Sequence, residues 1–159
     1  VGAVEFVTQD TAHTVQVAAR TLNGNYAKTF PGLRPTAGNS PDAMNDLVVQ
    51  NLTNNATYRS TCGFYNPTAD SVTVAFRLYD GDGTLIGSLF SRTFVGYDFQ
   101  SFNPFTQAGV PYPGSSYDNT ILMITRTSGT GKVMGFGASA NNTSGDPAAH
   151  IALRFELEN

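Results

Sequence analysis

From Ser71 to Tyr79 the chain alternates without a break. Val72, Val74, Phe76 and Leu78 fall on one side; Ser71, Thr73, Ala75, Arg77 and Tyr79 fall on the other. Successive side chains of a strand point to opposite faces, so this run is a strand with one buried and one solvated face. Asp80-Gly81-Asp82-Gly83 follows, residues that tolerate positive φ, and the chain turns back into Leu85, Ile86, Leu89 and Phe90. The unit is a hairpin, and most of the remaining sequence reads as further copies or supports of it.

Val1 to Thr8 is β-prone and apolar on both faces, with Val4 and Phe6 on one and Val1, Ala3 and Val7 on the other. A strand of that kind wants cover on two sides. Thr14 to Arg20 alternates, with Val15, Val17 and Ala19 inward. Leu22 to Asn45 carries Pro31, Pro35 and Pro41 among glycines and reads as a long loop excursion. Strands are expected at Leu47–Leu52 and Tyr58–Phe64, the second with Tyr58, Ser60, Cys62 and Phe64 inward. Asn103-Pro104 predicts one short helical turn near 103–108, Asn as cap and Pro at the first position. Ile121–Thr127, Lys132–Ala140 and Ile151–Leu157 complete the set, the last with Ile151, Leu153, Phe155 and Leu157 inward. Nine or ten short strands between Gly, Pro and Asn turns predict a single all-β domain over 1–159. Its expected form is an antiparallel β-sandwich of immunoglobulin-like or jelly-roll-like type.

Only 13% of the residues are charged, and the net charge is −3, so nothing electrostatic favours nucleic acid or an anionic membrane as partner. Thr, Ser, Asn and Gly supply the polarity instead. One cysteine, Cys62, excludes an internal disulfide and reads as a small buried hydrophobe. No stretch approaches the ~18 apolar residues of a membrane span. The first residue is Val1, which fits a removed secretion signal and an extracellular location.

Candidate chemistry is sparse. Asp80 and Asp82 resemble the opening of a calcium loop, but position 84 is Thr and position 91 is Ser where further oxygen ligands belong. Ser128-Gly129-Thr130-Gly131-Lys132 lacks the spacing of a phosphate loop and reads as a turn. His13 and His150 are the only histidines, too few for a zinc site, and Ser139 lacks the second glycine of a nucleophile elbow. The expectation is therefore no enzyme, no metal and no cofactor. Seven aromatics lie between Phe94 and Tyr117; core packing accounts for them, with Tyr97, Tyr112 and Tyr117 the candidates for stacking on sugar rings. Asn51, Asn55, Asn141 and Asn142 each head an Asn-x-Thr/Ser acceptor pattern for glycosylation.

The segments NPTADSVTVAFRLYDGDGTLIG, QSFNPFTQAGV and ASANNTSGDPA together resemble a secreted β-sandwich module repeated through many environmental bacterial proteins. The resemblance runs from about Leu47 to Pro147, and its motifs mark turns. It implies the sandwich fold and an extracellular setting, with no assigned activity. A second likeness, in topology, is to extracellular filament subunits in which one subunit lends a strand to the next. The leading expectation is an extracellular structural subunit that assembles head-to-tail with copies of itself into a filament or surface layer, by β-strand donation through Val1, Ala3, Val4, Phe6 and Val7. The alternative is a monomeric carbohydrate- or surface-binding adhesion module.

Overall fold

The computed structural model describes residues 18–23, 26–31, 47–111 and 115–154. The segment Val1–Gln9, expected to serve in assembly, lies outside them, as do His13 and Tyr112. The described strands are β1 (Ala18–Asn23), β2 (Tyr26–Pro31), β3 (Leu47–Asn54), β4 (Tyr58–Tyr65), β5 (Val72–Tyr79), β6 (Leu85–Phe94) and β7 (Phe99–Phe102). A short helix α1 (Pro104–Gln107) follows, then β8 (Tyr117–Gly129), β9 (Met134–Asn141), β10 (Pro147–Ile151) and β11 (Leu153–Arg154). One sheet runs β11-β3-β8-β5-β6 and the other β10-β9-β4-β7, every pairing antiparallel. The protein is an all-β sandwich.

The opening hairpin sets the pattern. Val72, Val74, Phe76 and Leu78 are all buried, and β5 is central in its sheet, between β8 and β6. They meet Leu122 and Ile124 of β8, Leu47, Val49 and Leu52 of β3, and Cys62 and Phe64 from the opposite sheet in one core. The inward positions of β9 are Gly135, Gly137 and Ser139. A methyl at Gly137 would collide with Val49 and Leu52, and one at Gly135 with the Phe64 ring. The sheets thus approach over bare backbone at β9. Asn103 caps α1 as expected: its Oδ1 accepts from Phe105 N at 2.9 Å and Thr106 N at 3.3 Å.

Three expectations need correction. The excursion over Leu22–Asn45 is partly a hairpin, since β1 runs to Asn23 and β2 occupies Tyr26–Pro31, with Asn23 opposite Tyr26. In the sequence, Gly24-Asn25 reads as a two-residue turn signal that the prolines after it obscured. Tyr58 is 40% exposed although Ser60, Cys62 and Phe64 on its face are buried, because it sits opposite Asn141 beyond the end of the core. Over residues 151–154 the final strand is broken and its phase reversed, with Ala152 buried and Leu153 61% exposed; Phe155 and Leu157 lie outside the described residues. Ala152 is where the chain changes sheets, its N–H donating to Gly135 O at 3.0 Å before Leu153 pairs with Val48.

At the margins of the five-stranded sheet, some backbone groups of β6 and of β3 are bonded by the chain itself. On β6, Ser88 N donates to Ala108 O at 2.8 Å, and Gln100 Nε2 donates to Thr93 O at 2.8 Å. On β3, past the bulge at Asn51, Ser60 Oγ accepts from Thr53 N at 2.9 Å and donates to Thr53 O at 2.8 Å. Ser139 Oγ lies 2.7 Å from Ser60 Oγ, completing a buried hydroxyl clasp. Replacing Ser60 with alanine strips both Thr53 groups of this partner, so a loss of about 1–3 kcal/mol is expected. Denaturant unfolding checks it; Ser91→Ala, at an exposed site on β6, should stay within about 0.5 kcal/mol of the parent.

Candidate functional site

Three segments gather at one end of the sandwich: the β3–β4 turn, the β9–β10 turn and the start of β8. Asn55 builds the first, its Oδ1 accepting from Thr57 N at 2.9 Å and Tyr58 N at 2.8 Å. Its Nδ2 reaches across to Asp118 Oδ1 at 2.8 Å. Asn141 builds the second, accepting from Thr143 N at 2.9 Å and Ser144 N at 3.0 Å. Asn142 joins the two turns: Nδ2 donates to Ala56 O at 3.0 Å and Oδ1 accepts from Arg59 Nη1 at 3.0 Å. Short amide side chains that bond backbone two or three residues on are what such turns require.

All four glycosylation candidates therefore lie at this end, in unequal surroundings. The amide nitrogens of Asn55 and Asn142 are engaged, and the Asn141 oxygen holds its turn. Asn51 is exposed, with φ of 57° at the β3 bulge. Asn119, in β8 beside it, has φ of 54°. Asparagine tolerates this left-handed region better than other residues with a side chain, so the bulges fall where the sequence places asparagine. Beneath them Asn54 and Thr120 are fully buried. Asn54 Nδ2 donates to Ser115 Oγ at 3.0 Å, while Asn54 Oδ1 and Thr120 Oγ1 have no hydrogen-bond partner among the described residues.

Of the aromatic candidates, Tyr97 and Tyr117 lie at opposite ends of the sandwich, and Tyr112 is outside the described residues. Tyr97 is 61% exposed in the β6–β7 turn, at the end where Phe94, Val72 and Gly129 align. Tyr117 is at the opposite end, half-buried and stacked on Phe105 with centroids 6.2 Å apart. Phe94, Phe102 and Phe105 are buried in the core.

The remaining candidates are structural. Asp80 Oδ1 and Asp82 Oδ1 both accept from Thr84 N, at 2.8 and 3.0 Å, and fasten the hairpin turn. Asp82 is held below the ordinary carboxylate range, first by its hydrogen bond with Asp80 and then by Thr84. Among the described residues no group of three or more His, Cys, Asp or Glu could hold a metal ion. Burial pushes the Cys62 thiol well above its ordinary range, as suits a core residue. Ser139 is spent on the clasp with Ser60. What the loop end offers chemically is hydrogen bonding by amides and hydroxyls.

Sequence reasoning missed the Ser60–Ser139 clasp and a belt of apolar side chains on the outer face of the five-stranded sheet. Leu153, Val48, Met123 and Arg77 form one cross-strand row of that face, and Leu85, Tyr79 and Ile121 the next. Leu153 is 61% exposed, Leu85 and Leu89 are each 48% exposed, Tyr79, Ile121 and Met123 are half-buried, and Val48 between Leu153 and Met123 is buried. The signal was available in the outward positions of each strand, but strand order decides which of them become neighbours. No protein family, curated protein or solved structure matches the chain, so the likeness to secreted sandwich modules rests on the turn motifs alone.

Proposed function

We propose that this chain is a non-catalytic structural module of an extracellular assembly, joined to copies of itself through Val1–Gln9. The observation that carries the reading is the outer apolar belt. Exposed apolar side chains scattered singly need no explanation, but on this face Leu153 at one margin and Leu85 at the other flank half-buried Met123, Ile121 and Tyr79, a grouping that suits an association surface. The segment that would meet such a surface is the one with apolar residues on both faces. Burying Val1, Val4, Phe6 and Val7 between two copies contributes about 6–10 kcal/mol before ordering costs. The groups of Ser88, Thr93 and Thr53 already bonded within the chain disfavour backbone pairing at those positions, and packing of side chains on the face supplies the contact. The extracellular setting draws on the low charge, the Thr- and Asn-rich surface and the turn motifs.

Analytical ultracentrifugation of the full chain and of a chain lacking residues 1–9 tests this. Concentration-dependent association is expected of the first and a monomer of the second. Equal behaviour of the two overturns it. A second reading, an adhesion module that binds glycans or surfaces, draws on the amide- and hydroxyl-rich loop end with Tyr58 exposed beside it. Glycan binding by the monomer that is lost on Tyr58→Ala would favour it.

A further inference from the structure

Resting on the structural reading above, we infer that the belt on the outer face of the five-stranded sheet is the receptor for the N-terminal segment of a second copy, with Glu5 of the donor set against Arg77 of the acceptor. Arg77 lies in the middle of the belt. Met123 is its neighbour across β8, and Tyr79 follows it by two positions along β5. It is half-buried, and its one hydrogen bond among the described residues is from Nη1 to Thr125 Oγ1 at 3.1 Å. Among the described residues of this belt it carries the only charge. The nearest acids in sequence, Asp80 and Asp82, are bonded to Thr84 in their own turn.

The donor is complementary in pattern. Between Val1 and Gln9 the single charged residue is Glu5, and it shares its strand face with Val1, Ala3 and Val7. One carboxylate flanked by apolar neighbours two positions away, about 6.7 Å along an extended chain, meets one guanidinium flanked by apolar neighbours at the same pleat spacing. Salt bridges desolvated in this way set register and partner choice more than affinity. Val4 and Phe6 project from the other face, which leaves them for the body of the donor copy. This accounts for a segment apolar on both sides: it lies between two sandwiches.

The test is a charge exchange on the full chain. Arg77→Glu alone and Glu5→Arg alone are each expected to weaken self-association about tenfold or more, and the double variant to restore most of it. Thermal melts of each variant establish that the sandwich is folded. An independent readout is disulfide trapping: chains carrying Ala3→Cys are mixed with chains carrying Tyr79→Cys and oxidised. Cys62 is buried and does not compete. A mixed dimer is expected. Undiminished association of Arg77→Glu together with no mixed dimer overturns the belt as receptor. If deletion of residues 1–9 still abolishes association in that case, the structural reading survives without this site. Crosslinking only within a doubly substituted single chain, never between chains, places the segment on its own belt and overturns the intermolecular contact.

Discussion

Phe64→Ala is expected to lower the unfolding free energy by about 3–5 kcal/mol. Phe64 is fully buried on β4, and its ring meets aromatics of both sheets. Centroids lie 5.2 Å from Phe76 and 6.4 Å from Phe94 in the five-stranded sheet, and 5.7 Å from Phe102 in its own. Truncation therefore removes contacts between the layers, as well as area hidden from water. The surroundings cannot collapse into the gap, because the adjacent inward position on β9 is Gly135, which has no side chain to move in. A cavity that stays open is the costly kind. Phe64→Leu, which keeps most of the volume, should cost about 1–2 kcal/mol, and Thr61→Ala, exposed on the same strand, within about 0.5 kcal/mol. Urea titrations followed by tyrosine fluorescence give all three. A loss below about 1 kcal/mol for Phe64→Ala would mean that the two layers do not meet through this ring.

How far the fold was legible follows from what each signal reports. Alternation is local, so the inward faces of β5 and of the middle of β4 could be read directly. The Asn103-Pro104 cap was legible for the same reason, because donor and acceptor lie two or three residues apart. The Ile151–Leu157 strand was misread because alternation presumes that a strand stays in one sheet. At Ala152 the chain crosses between layers, and the inward side changes with the crossing. Strand β7, Phe99–Phe102, was missed within the aromatic stretch because only four residues alternate there. The candidate site was less legible than the fold. Asn55 and Asn142 were singled out as acceptor patterns, yet their role is to bind two turns 86 residues apart to each other. The Ser60–Ser139 clasp spans 79 residues, and nothing local announces it. The apolar belt depends on strand order, which alternation does not encode.

Asn66→Ala should approach Phe64→Ala in effect, at about 3 kcal/mol or more, though it deletes no apolar surface. Asn66 is fully buried where the turns of the other end converge. Its Nδ2 donates to Asp70 O at 2.7 Å, Val95 O at 3.0 Å and, more weakly, Phe94 O at 3.3 Å. Its Oδ1 accepts from Thr68 N at 3.0 Å and Thr68 Oγ1 at 2.6 Å. Alanine leaves each of these groups without its amide partner, and a buried polar group so abandoned costs about 1–3 kcal/mol. Asn66→Asp separates this account from one of size alone, since it keeps the shape but turns a donor toward three carbonyls into an acceptor. Burial and those carbonyls disfavour the charged form, raising the introduced carboxyl's folded pKa above its unfolded value of about 3.9. The folded state then binds the proton more tightly than the unfolded one. Relative to the parent, the variant is therefore least impaired below about pH 4 and loses stability as pH rises from there toward the folded pKa. Denaturant unfolding of Asn66→Asp and parent at several pH values between 3.5 and 7 reads the difference. A penalty that does not change with pH would show that the side-chain nitrogen of Asn66 is not what ties these turns together.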